Sequence, residues 1–93
     1  MNDLGLDTRL RLAPGCRLNE PGAAEDLLLI PEGALRLKGP ARAIVELCTG
    51  DRAVREIVAE LQGRFGAENA ARIETETFAL LTRLRDRGAL ESV

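Results

Sequence analysis

The hydrophobic period of this chain changes once, at Gly39-Pro40, and that change dictates most of what the chain can fold into. Before it, apolar residues come in short runs and alternations suited to strands. After it they recur at three and four residues, as on helices. Cys16-Arg17-Leu18-Asn19 alternates briefly, and Glu20-Pro21-Gly22-Ala23-Ala24-Glu25-Asp26 carries turn residues. Leu27-Leu28-Leu29-Ile30 reads as a strand covered on both faces, and Pro31-Glu32-Gly33 as a reversal ending in Gly. Ala34-Leu35-Arg36-Leu37-Lys38 then sets Leu35 and Leu37 on one face and Arg36 and Lys38 on the other. Three antiparallel strands this short cannot stand alone, so the helical half must cover them.

Pro40 suits a first helical position, Ala41, Ile44, Val45 and Cys48 form a stripe, and Gly50 suits the position beyond the helix end. Asp51 is a candidate N-cap for the second helix, whose stripe is Val54, Ile57, Val58, Leu61 and Phe65. Gly63 or Gly66 closes it. The third helix runs from near Glu68 or Asn69 to Gly88, with the stripe Ile73, Thr77, Leu80, Leu81 and Leu84 and with Leu90 tucked beneath. The expected fold class is therefore α+β: a three-stranded antiparallel meander followed by three helices, with the outline of a winged helix-turn-helix. Residues 1–15 lack a period and read as a flexible arm docked in part through Leu10 and Leu12. Residues 16–93 read as a single domain.

The composition removes whole classes of chemistry. The chain has no His, so imidazole acid–base catalysis and His metal ligation are excluded. Cys16 and Cys48 are too far apart for a C-x-x-C unit, and the expectation is two plain thiols with no metal and no cofactor. No phosphate-binding Gly-rich motif occurs. Without Trp or Tyr there is no stacking platform for single-stranded bases. Residues 67–93 set four arginines against five acids, the wrong balance for a groove-reading helix, so no nucleic acid is expected. The start of the chain is acidic where a signal peptide needs bases, and its longest aliphatic run is four residues. The reading is a cytoplasmic protein that does not enter membranes and is not an enzyme.

Two features ask for more than packing. The strand Ala34–Lys38, last in its meander, should be an edge with unpaired backbone groups on one side, with Arg36 and Lys38 as guards against random pairing. Phe78 lies about 140° around the third helix from Ile73, off the core stripe, beside Leu81, Glu74 and Arg85. If that helix lies along the open edge, the two features form a groove. One wall offers backbone hydrogen bonds, and the other an apolar strip with charges of both signs. This is the geometry of peptide capture by strand addition.

The words Leu27-Leu28-Leu29-Ile30-Pro31-Glu32-Gly33-Ala34-Leu35-Arg36-Leu37, Ala41-x-x-Ile44-x-x-Leu47, Thr49-Gly50-Asp51, Ile57-Val58-x-x-Leu61 and Leu81-x-x-Leu84-x-x-x-Gly88 resemble the PqqD family. This is the family of pyrroloquinoline quinone (PQQ) biosynthesis protein D. The resemblance runs from about Gly15 to Leu90. It implies a non-catalytic peptide chaperone, a recognition element for ribosomally made peptides. Such a protein binds the precursor PqqA and presents it to the radical S-adenosylmethionine enzyme PqqE. The peptide would pair with Ala34, Leu35, Arg36, Leu37 and Lys38 and lean on Glu74, Phe78, Leu81 and Arg85. Iron–sulfur clusters and S-adenosylmethionine would belong to the partner enzyme. Two departures stand out: the loop Glu20–Asp26 is acidic, and Ala53 replaces a capping Ser or Thr. A monomer and a weak homodimer, formed by exchange of arm or hairpin, both fit. The rival reading, a winged-helix DNA-binding transcriptional regulator, shares the fold but not the salt response, since duplex binding falls steeply as salt rises.

Overall fold

Asn19 sets the register of the first hairpin. Its amide donates to the Leu27 carbonyl (3.0 Å), and its side-chain Oδ1 accepts from the Leu27 amide (2.9 Å). The computed structural model describes residues 4–93. In chain order these form β1 (Arg9–Leu12), β2 (Arg17–Leu18), β3 (Asp26–Ile30), β4 (Gly33–Leu37), α1 (Ala41–Glu46), β5 (Thr49–Ala53), α2 (Val54–Phe65), α3 (Ala70–Asp86) and β6 (Leu90–Ser92). The expected meander is present as the antiparallel sheet β2-β3-β4, followed by three helices. The α+β class therefore holds, with one addition: a second antiparallel sheet of order β5-β1-β6.

That second sheet corrects the arm. Residues 1–3 lie outside the described residues, but Arg9–Leu12 is the central strand of the sheet, and Leu10 is fully buried. Leu10 pairs with Ser92 and Leu12 with Leu90, so the start of the chain is held by its end. The same sheet corrects Gly50, which lies inside β5 rather than beyond a helix end. Its φ of +88° disfavours any side chain, and an added Cβ would come within 3.2 Å of Val93 Cγ2. α1 ends earlier than expected, with Leu47 as its C-cap.

The N-terminus of α2 is satisfied in a way its sequence conceals. Asp51 sits in β5 and does not cap the helix. The Glu56 carboxylate instead accepts from the Ala53 amide (2.8 Å), while the carbonyls of Thr8 and Leu6 accept from Val54 and Arg55 (2.9 Å each). Two of the helix's orphan donors are thus met by backbone from a distant segment, which frees Ala53 from needing a hydroxyl. The helix ends at Gly66, with φ +96°.

The core is aliphatic and collects from every layer: Leu10, Leu28, Val54, Ile57 and Leu81 are fully buried, with Val45, Leu61 and Leu84 nearly so. β3 buries only Leu28 completely. Its outer-face residues Leu27 and Leu29 are half-buried, so the outer face is covered less than the sequence suggests. Phe65, placed on the α2 stripe by its spacing, is 46% exposed.

The sheet β2-β3-β4 is tied to the helices by Arg42 of α1. Its side chain is 13% exposed, and its guanidinium donates to Asn19 Oδ1 (2.7 Å), the Asn19 carbonyl (2.6 Å), Asp26 Oδ1 (3.3 Å) and Glu46 Oε2 (3.2 Å). Glu25 pairs with Arg36 across the hairpin (3.1 Å). The acidity of the loop Glu20–Asp26 is therefore partly neutralised within the fold. Arg42→Ala is expected to cost about 2 kcal/mol of stability in urea unfolding, because several half-buried acceptors lose their donor together.

Candidate functional site

β4 is the outer strand of its sheet, and the alternation of an antiparallel ladder fixes which of its backbone groups are unused. Leu27 turns its amide and carbonyl toward β2, as its bonds to Asn19 show. Leu28 must then face β4, where its partner is Leu35. Leu35 accordingly turns inward to β3, and Ala34 and Arg36 turn their amides and carbonyls outward. The Lys38 carbonyl is already engaged by the Ala41 amide (3.1 Å). The edge therefore offers about four hydrogen-bonding groups to an added strand, all from two residues.

A groove of about 580 Å³ runs beside this edge, between β4, the start of α1 and one face of α3. Leu35, Arg36, Leu37 and Lys38 line the strand side, and Pro40, Ala41 and Ile44 line the α1 side. The α3 side is Glu76, Leu80, Arg83, Leu84 and Arg87. Of the residues expected at the site, Leu35, Arg36 and Leu37 of β4 and Lys38 just beyond it are brought together here, and Ala34 joins them at the edge through its backbone.

The α3 half of the expectation does not reach the groove. Glu74, Phe78, Leu81 and Arg85 are absent from its lining. Leu81 is fully buried, and Phe78 is half-buried against the core outside the groove, where it lines a shallow hollow with Ala79, Thr82 and Asp86 that shares Arg83 and Arg87 with the groove. Periodicity locates the core stripe of a helix but not which flank of that stripe meets the sheet. Phe78 marks one flank, whereas Glu76, Arg83 and Arg87 centre on the other, roughly 140–180° away at 100° per residue. The missed residues carried a signal of their own, because Arg83 and Arg87 are one turn apart and flank the buried Leu80 and Leu84.

The charges in the groove are unevenly matched. Glu76 is paired with Arg72 (3.0 Å), and Arg36 with Glu25. Among the described residues no carboxylate pairs with Lys38, Arg83 or Arg87. On a chain with net charge −2, this is a local basic surface over an apolar floor. Among the described residues no group of three or more Cys, Asp or Glu side chains is arranged to hold a metal ion.

The thiols are unpaired with each other and lie outside the groove lining. Cys48 is buried and donates to the Ile44 carbonyl (3.4 Å), and burial pushes its thiol up from 9.0 to about 12.

Residues 25–90 match the family described as Coenzyme PQQ synthesis protein D, PqqD. The chain belongs to the PqqD family. Two relatives bear the name PqqA binding protein. That of Azotobacter vinelandii is 34% identical over 92 residues, 98% of this chain and 98% of its own length. That of Methylococcus capsulatus is 31% identical over 88 residues, 94% and 91% of the two chains. The fold matches the solution structure of the PqqD portion of Methylobacterium extorquens PqqCD. That protein is described as a functional, stand-alone recognition element for ribosomally synthesised and post-translationally modified peptides (TM-score 0.73, 27% identity, 98% of this chain and 99% of that one). It also matches part of the heterocyclase TruD (TM-score 0.64, 24% identity), with 92% of this chain covering 12% of that protein. The second likeness is one of fold.

Two predictions follow from the geometry of this PqqD-family chain. Phe78→Ala should leave the affinity of a groove ligand within about twofold, whereas Arg87→Glu should weaken an acidic peptide about tenfold by calorimetry at low salt. Iodoacetamide at pH 8 should modify Cys16 and spare Cys48 until denaturant is added, as read by mass spectrometry. The stability that Cys48 contributes as a neutral thiol is complete below about pH 9 and is lost as pH rises toward 12.

Proposed function

We propose that this chain is a non-catalytic, cytoplasmic peptide chaperone of PQQ biosynthesis. It binds the precursor PqqA as an added strand on β4 and presents it to the radical S-adenosylmethionine enzyme PqqE. The observation that carries this reading is the open β4 edge, where Ala34 and Arg36 turn their backbone groups outward beside a groove along α3. Family membership and relatives named for PqqA binding support the identity of the peptide.

The energetics favour a mixed mode of capture. Four backbone bonds, each worth about 0.5–1.5 kcal/mol net, supply roughly 2–6 kcal/mol. A micromolar complex needs about 8 kcal/mol. The difference must come from side chains laid on Leu80, Leu84 and Ile44 and from acids meeting Lys38, Arg83 and Arg87. A peptide held in this way is extended, so alternate residues face outward along its length. That exposure suits delivery to a second protein without any chemistry by the chaperone.

The DNA-binding alternative finds little support in the same surfaces. On the first half of α3, Arg72 is paired with Glu76, and Glu74 adds a further negative charge.

An amide-shift titration with PqqA tests the proposal. The largest changes are expected at residues 34–38 and 76–87, and changes confined to β1, β5 and β6 would overturn it. Arg36→Pro removes an outward amide while sparing the β3 ladder, so it should weaken PqqA binding at least tenfold with little change in melting temperature. Leu35→Pro, which breaks an inward bond, should unfold the hairpin instead.

A further inference from the structure

The groove does not end where β4 ends. Pro40, Ile44 and Glu76 line it and also line a second pocket of about 500 Å³, set between the start of α1, the end of α2 and the first half of α3. The two hollows together follow α3 from Asn69 to Arg87, about 27 Å at 1.5 Å per residue. An extended peptide covers that length with roughly eight residues, and β4 can pair with about four of them. The remaining stretch has no strand beside it. It meets side chains only.

Those side chains are apolar. Pro40, Ala43, Ile44, Leu61, Phe65 and Ile73 form the pocket, with Arg72 and Glu76 at its rim. Two features there have no account in the fold itself. Phe65 leaves 46% of its surface in solvent, although its position on the α2 stripe would suit burial. The Thr77 hydroxyl is fully buried in the pocket lining, yet Oγ1 has no hydrogen-bond partner among the described residues. The large exposed ring points to an apolar occupant, whereas the Thr77 hydroxyl, with no exposed surface, gains no partner from such a side chain.

We infer that this pocket is a second subsite for the captured peptide, holding a large aliphatic or aromatic side chain that lies outside the strand-paired stretch, on the side beyond Lys38. The inference rests on strand capture at β4. Recognition then has two parts of different chemistry. The β4 half reads an extended backbone with acidic side chains, and the helical half reads one bulky apolar residue. The ladder bonds carry no sequence information, so the pocket supplies much of the choice between precursor peptides.

Calorimetry with PqqA on the wild type, Phe65→Ala and Arg36→Pro separates the two halves, with amide shifts followed on the wild type. Phe65→Ala is expected to raise Kd about tenfold with an unchanged melting temperature. The amides of Ala43, Phe65 and Ile73 are expected to shift together with those of residues 34–38. If Phe65→Ala leaves Kd unchanged and only residues 34–38 and 80–87 shift, the second subsite is wrong while strand capture stands. If wild-type protein does not bind PqqA, both fall.

Discussion

Arg42 is the contact on which the groove depends. One wall of the groove belongs to a three-stranded sheet that could not persist alone, and the others belong to helices. The guanidinium of Arg42 reaches from α1 to the Asn19 side chain and carbonyl and to Asp26, at the turn that starts the sheet. Asn19 in turn holds Leu27 and so sets the ladder parity of β3 and β4. The outward turn of Ala34 and Arg36 is thus linked, through three residues, to a cation on the helix that forms the opposite wall.

The second sheet provides a foundation of a different kind. β1 joins β5 and β6, and the carbonyls just before β1 accept from the first amides of α2. Pairing of the two ends of the chain therefore orients the helix that leads into α3. No residue of β1, β5 or β6 lines the groove or the second pocket. The scaffold and the groove use separate backbone edges.

Much of this was legible in the sequence because local signals and tertiary structure agree there. The Pro31-Glu32-Gly33 signal and the alternation through Leu37 specify the hairpin, although Gly33 pairs with Ile30 and leaves Pro31-Glu32 as a two-residue turn, and the stripes of α2 and α3 give their cores. What was hidden depends on contacts across the whole chain. Arg9–Leu12 has no turn partner nearby and pairs with strands forty and eighty residues away. Thr49-Gly50-Asp51 reads as a helix ending because the reason for its extension is β1. The groove was half legible. The β4 edge follows from strand order, but the α3 face does not, since Phe78 and the Arg83/Arg87 flank are equally permitted by the helical period.

Two outward residues on β4 have a consequence for fidelity. A guest strand displaced by two positions would meet the same donors and acceptors and keep the same side chains toward the floor, whereas a slip of one would invert them. A ladder formed in this way would enforce parity and be blind to translation. Only features spaced along α3, such as the basic pair at one end and the apolar pocket at the other, could then stop such a chain from sliding in steps of two.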